Sequence, residues 1–133
     1  MLVTSCPFCQ LATHSTQQLV YCDELVFAIR DKFPVSRGHS LIIPRRHYAS
    51  WFEATTAEQQ AFLQVLTQVK AELQVQYQPD GYNIGINDGA VAGQTVPHLH
   101  IHLIPRYQGD VAEPRGGIRW ILPEKAVYWD KPV

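Results

Sequence analysis

Residues 98–102 read His98-Leu99-His100-Ile101-His102, imidazoles alternating strictly with aliphatic side chains. In a β-strand successive side chains leave on opposite faces, so the three imidazoles share one face while Leu99, Ile101 and Leu103 enter a core. Such a pattern demands a sheet with one apolar side and one polar side. Histidine is the side chain whose ordinary pKa lies nearest neutrality, so a row of three suits nucleophilic attack, proton transfer or metal binding. One metal shared by all three is disfavoured by reach: at about 3.3 Å per residue the outer two α-carbons stand about 13 Å apart, whereas zinc needs nitrogen at about 2.0–2.1 Å.

The 133 residues suffice for one ordinary domain and its core, and residues 1–133 are expected to form one, with a core over about 6–110 and an irregular tail over 111–133. A net charge of -1 provides no global basic field for nucleic acid. No apolar run is long enough to span a membrane, and no charged-then-apolar leader opens the chain, so a cytoplasmic protein is expected. Three cysteines, Cys6, Cys9 and Cys22, do not make a disulfide framework. The Cys6-Pro7-Phe8-Cys9 spacing reads as half of a metal clip, a redox pair or two free thiols; a zinc ion there needs two further ligands, with His14, His39, His47, His98 and the rest of the triad available.

Along the chain, Leu19–Cys22 and Leu25–Ile29 read as a hairpin, residues 31–39 as a loop, and Ser40–Ile43 as a strand closed by Pro44. Thr55 and Thr56, each followed three residues on by Glu58 or Gln59, carry a capping-box signature. Phe62, Val65, Leu66, Val69 and Leu73 then repeat at helical spacing, which predicts a helix over about 57–77. Pro79-Asp80-Gly81 ends it, residues 82–86 read as a strand, and a glycine-bearing loop over 87–93 leads into the histidine strand. The expected class is α+β: a mainly antiparallel sheet of about five strands with one long helix on one face and the histidines on the open face. Arg45, Arg46 and Arg106 read as surface residues able to add positive potential, and Trp120, Tyr128 and Trp129 in the tail as residues that pack on a dimer partner, with covering the base of a bound nucleotide as the alternative.

Phosphoryl or nucleotidyl transfer suits the row best. A neutral imidazole nitrogen attacks phosphorus without first losing a proton, and its second nitrogen can be oriented by a hydrogen bond. Gln94, Thr95, His102 and the amides of the preceding turn are placed to serve the developing charge.

The string His98-x-His100-x-His102-Leu103-Ile104 resembles the signature of the histidine triad (HIT) superfamily of nucleotide hydrolases and transferases. The likeness extends over Phe27–Asp31, Gly38–Pro44, Asn87-Asp88-Gly89, Ala92–Val96, Pro105-Arg106 and Gly109-Asp110. Within that superfamily the stretch from Asp88 to Asp110 looks most like the fragile-histidine-triad and diadenosine polyphosphate hydrolase branch. The resemblance implies a two-fold homodimer whose sheets join into one. It makes His100 the nucleophile of a nucleotidyl-histidine intermediate, with His102 on the phosphate or leaving group and His39 orienting the catalytic imidazole. Asp31 would bind ribose hydroxyls, and Asn87, Gln94 and Thr95 the phosphate chain. Phe8, Leu11, Phe27 and Ile29 are candidates for the base pocket. Related uridylyltransferases carry glutamine where this chain has His102, so hydrolysis is favoured over transfer. Dinucleoside polyphosphates are the favoured substrates, with nucleoside phosphoramidates or adenylyl conjugates as the alternative, and a nucleotide-binding regulatory protein as a third reading. By likeness to HIT proteins with an early cysteine pair, a structural zinc is implied on Cys6, Cys9, His47 and His98, with His14 as a competing ligand.

Overall fold

A computed structural model describes residues 2–14 and 19–132, the side chain of His14 excepted. Its sheet has five strands: β1 (Leu19–Cys22), β2 (Val26–Arg30), β3 (Ser40–Pro44), β4 (Gly81–Gly85) and β5 (Ile101–Arg106). They lie in the order β1-β2-β3-β5-β4, each neighbouring pair antiparallel. The expected α+β class is therefore observed, with two helices in place of one: α1 (Pro7–His14) and α2 (Thr56–Tyr77).

Helix α2 starts where its capping box places it. The Thr55 hydroxyl accepts the Glu58 amide at 3.0 Å and the Glu58 carboxylate accepts the Thr55 amide at 2.8 Å, satisfying two donors that the first turn cannot pair internally. Glu58 is buried and also holds Arg46 at 2.8 Å, tying the helix start to the segment that follows β3. The helix ends at Gln78, whose left-handed backbone precedes Pro79. Its buried stripe, Phe62, Val65, Val69 and Leu73, packs on Val26, Ala28, Ile42, Leu99, Ile101 and Leu103. Leu99, Ile101 and Leu103 thus fill the core, as their alternation requires. Gly38 sits at φ +87° beside α2, where an added Cβ would fall 2.8 Å from Leu73, so only glycine lets the loop turn into His39 at this distance from the helix.

Two expectations are corrected here. The histidine segment joins the sheet only from Ile101; before it, the Leu99 amide donates to the Tyr48 carbonyl, and the Pro44 carbonyl accepts the His98 side chain. The histidine face is also half covered. Helix α1, which the cysteine spacing did not suggest, lies on it with Phe8 against Phe27, Ile29, Leu41 and Ile43. Pro7 opens that helix, a position where its missing N–H costs nothing.

The chain beyond β5 folds back on itself in short 3₁₀ turns, Gly117–Ile121 and Pro123–Lys125, around a buried Ala126. Arg115 lies 4.3 Å over the Trp129 ring and Arg119 4.7 Å over Tyr128, so these two aromatics are stacked by arginines of the tail itself. No described helix is long and apolar enough to cross a membrane.

Candidate active site

Hydrogen bonds to atoms that can only accept or only donate assign the ring protons of four histidines. The His100 Nδ1 stands 2.8 Å from the His98 carbonyl and must donate to it, which leaves the Nε2 lone pair free on the side lining a cleft. This is the arrangement a nucleophilic imidazole needs. The Val35 amide donates to His39 Nδ1 at 3.1 Å, so His39 carries its proton on Nε2 and donates it to His102 Nδ1 at 2.9 Å. His102 in turn keeps its own proton on Nε2 as a donor. Burial pushes His102 down to about 4, with help from His100 and His39 and against Asp31, so it is a neutral donor at physiological pH. Burial likewise lowers His39, although Asp31 lies 3.4 Å away and favours its charged form. His39 therefore orients His102; the expectation that it orients His100 is corrected, because a backbone carbonyl already holds that ring.

Fourth in the set, His98 is fully buried and donates Nε2–H to the Pro44 carbonyl at 2.8 Å, turning an unprotonated Nδ1 toward Cys6, Cys9 and His47. Burial pushes His98 down to about 4, which keeps that lone pair available. Its Nδ1 lies 3.2 Å from His47 Nδ1, 3.4 Å from Cys6 Sγ and 3.6 Å from Cys9 Sγ, and Cys9 Sγ lies 3.3 Å from His47 Nδ1. Tetrahedral zinc with Zn–N of about 2.05 Å and Zn–S of about 2.3 Å sets N···N near 3.3 Å and N···S near 3.6 Å. All four ligand atoms fall within 4.8 Å of one another, so the donor set and spacing fit a closed four-ligand site. Burial and the neighbouring Cys6 push the Cys9 thiol up, a tendency that a divalent cation reverses by binding the thiolate. His98 thus belongs to this cluster and does not line the cleft. The His14 side chain lies outside the described residues. A second grouping, Asp31, His39 and His102, fits an ion less well, since His39 Nε2 must carry a proton as long as Nδ1 accepts the Val35 amide.

The cleft has a volume of about 800 Å³. Phe8 and Leu11 from α1, with Ile29 and Leu41 from the sheet, form its apolar end; Asp31, Asn87, Thr95, His100 and His102 form the polar end. Phe8 stands 5.1 Å from the His100 ring and 5.7 Å from the His98 ring, so one side chain touches both the cysteine–histidine cluster and the candidate nucleophile. Most of the expected site residues therefore converge, and two do not. Phe27 is completely buried beneath Arg45 and belongs to the core, because its strand position points between α1 and the sheet. Gln94 spends its amide on structure: its nitrogen donates to the Ala49 and Val96 carbonyls and its oxygen accepts the Gly89 amide. It shapes the loop over 87–93 and lines no part of the cleft. Asp88 fastens the same loop to the Ser50 hydroxyl and the Trp51 amide, both at 3.0 Å. Phe33, 80% exposed on the cleft rim, was missed by sequence reasoning; a large aromatic beside Pro34 in a polar loop was the available signal.

The family model described as HIT domain matches residues 12–109. An uncharacterised HIT-like protein of Methanocaldococcus jannaschii is 40% identical over 106 residues, covering 79% of this chain and 81% of its own. The bis(5'-adenosyl)-triphosphatase of Saccharomyces cerevisiae is 37% identical over 117 residues, 86% of this chain and 53% of its own. Among solved structures, a Zn-bound histidine triad family protein from Mycobacterium smegmatis superposes with a TM-score of 0.74 at 33% identity, covering 82% of this chain and 80% of that one.

Proposed function

Because the chain belongs to the HIT family, we propose that it is a nucleotide hydrolase acting at the α-phosphate of nucleoside 5'-phosphate derivatives through a nucleotidyl-His100 intermediate, in a domain spanning residues 1–133. One observation carries this reading: the His98 carbonyl holds the His100 Nδ1 proton and aims the Nε2 lone pair into the cleft. The nucleoside lies against Phe8, Leu11 and Ile29, with Asp31 accepting from the ribose hydroxyls and Asn87 and Thr95 on the phosphates. His100 Nε2 bonds to phosphorus, and the bond to the leaving group breaks with its electron pair on the leaving oxygen, which accepts a hydrogen bond from His102 Nε2. Imidazole is then displaced by water, whose proton passes to solvent, releasing the nucleoside monophosphate. His39 keeps His102 in the donating tautomer, acting on the substrate only through it.

Dinucleoside polyphosphates are the favoured class, supported by the 37% identical bis(5'-adenosyl)-triphosphatase. Phosphoramidates and adenylyl conjugates are the second reading, which uses the same residues on a different leaving group. Cys6, Cys9, His47 and His98 would hold zinc as a structural ion that fastens α1 beneath the nucleoside, a reading supported by the spacing of the four ligand atoms. The enzyme would act as a two-fold homodimer whose sheets join into one, for which both outer strands of the sheet, β1 and β4, offer an edge. The test supplies diadenosine polyphosphates and adenosine phosphoramidates to the wild type and to His100→Gly and follows monophosphate release. Loss of turnover in the variant is expected; equal turnover would refute the assignment.

A further inference from the structure

A second, larger cavity of about 1210 Å³ adjoins the cleft, and Val35, His39, Asn87 and His102 line both, whereas His100 lines only the cleft. The group expelled from phosphorus leaves roughly in line with the attacking atom, hence away from His100 and across His102. Its path therefore opens into the second cavity. The floor there is β4 and β5, through Asn83 and Ile104, and the far wall is the tail, through Ile118, Trp120, Ile121 and Leu122. These tail side chains are 63%, 39%, 77% and 64% exposed, a cluster of large apolar groups facing an open groove. They lie beyond residues 12–109, the part of the chain that matches the family model.

Charge narrows what the groove can take. Asp110 binds Arg106 at 2.7 and 2.9 Å, Asn83 takes the same guanidinium at 2.6 Å, and Glu113 pairs with Arg115 at 2.8 Å. Among the described lining residues, Arg37 is the one lysine or arginine without a carboxylate partner, and its guanidinium stacks on Tyr107 at 4.9 Å. The lining charges balance, Arg37 and Arg106 against Asp110 and Glu113, so a long polyphosphate would meet no net positive field, while an apolar body would meet isoleucine, leucine and tryptophan.

We propose that this groove is the leaving-group subsite and that Ile118, Trp120, Ile121 and Leu122 select leaving groups carrying a large apolar body. The proposal rests on the α-phosphate hydrolase reading above. Such a body can be the base of a second nucleoside or the organic part of a conjugate, and the experiment separates the two. The wild type is given P1-adenosine P2-alkyl diphosphates with methyl, butyl and octyl groups, whose leaving groups share one charge and one scissile bond, together with diadenosine triphosphate. Each buried methylene is worth about fourfold in kcat/KM if fully enclosed, so the octyl compound is expected to exceed the methyl compound by at least about tenfold. In Ile121→Ser, and in Trp120→Ala, the octyl-to-methyl ratio is expected to fall toward one; in Val75→Ser, on the exposed face of α2, it is expected to stay as in the wild type. If diadenosine triphosphate loses rate in parallel with the octyl compound, the second base is the natural occupant; if it does not, the occupant is an organic conjugate. Turnover of the methyl compound with no dependence on chain length would overturn the proposal and leave the hydrolase reading standing. No turnover of any compound would instead fail the hydrolase reading, and the subsite with it.

Discussion

Replacing Cys9 by serine removes one donor from the cluster of Cys6, Cys9, His47 and His98, and its cost follows from the geometry. The ligand atoms are already at zinc-like spacing, from 3.2 to 3.6 Å, so binding requires little rearrangement. A folded-state ligand present at about a thousand times its dissociation constant stabilises by about 4 kcal/mol. With about 2.1 cal/mol/K of unfolding entropy per residue, the 133 residues give about 0.28 kcal/mol/K, so loss of that stabilisation lowers the melting temperature by about 15 °C. Metal analysis by mass spectrometry, paired with thermal unfolding of the wild type before and after chelation, reads both quantities. The wild type is expected to carry one zinc per chain and Cys9→Ser none, with chelated wild type melting near the variant. Cys22→Ser, whose thiol is exposed beside Arg45, is expected to keep its zinc. Full zinc in Cys9→Ser, or an unchanged melting temperature after chelation, would refute the four-ligand site.

Phe8→Ala and Phe27→Ala are expected to separate cleft from core: the first raises KM by about three- to tenfold, while the second costs about 3–5 kcal/mol in urea unfolding. The pH dependence follows from His102, whose pKa falls from 6.5 to about 4 on folding. A depressed histidine is stabilising above its unfolded value, and the contribution is lost as pH falls from 6.5 toward 4, because the unfolded chain binds the proton first. Between pH 7 and 5 that loss amounts to about 2 kcal/mol. Urea titrations of chelated protein at both pH values are therefore expected to show a smaller loss in His102→Gln than in the wild type; equal losses would contradict the burial argument. Gln94→Ala is expected to lower kcat/KM and speed hydrogen exchange at the Gly89 amide, since that residue clamps the loop; unchanged exchange would place Gln94 elsewhere in the mechanism.

Much of this arrangement is legible in the sequence because it is periodic. The alternation from His98 to Leu103 fixes which side chains face α2, the capping box fixes the start of that helix, and Pro79 marks its end. Helix α1 is not legible: its eight residues carry too short a pattern, and they are held by contacts with His47 and His98, far away along the chain. The same long-range contacts hide the end of the strand, since nothing local says that the Pro44 carbonyl will accept an imidazole. Phe27 and Ile29 illustrate a further limit. Both look like pocket residues on one strand face, and only the position of α1 decides that Ile29 reaches the cleft while Phe27 stays beneath it. Gln94 is polar and beside the histidines, yet three hydrogen bonds to the backbone take up its amide. Whether His39 serves His100 or His102 depends on which atom each ring meets, which spacing along the chain does not encode.

A nucleotidyl intermediate requires that His100 be covalently modified during turnover. Rapid quench into alkali during hydrolysis of a diadenosine polyphosphate or an adenosine phosphoramidate, followed by peptide mass mapping at alkaline pH where the P–N bond survives, reads the adduct. One adenylyl group is expected on the peptide containing residues 98–102, at His100, and none in His100→Gly. Adenylylation at His98 or His102, or full turnover by His100→Gly, would contradict the nucleotidyl-His100 intermediate.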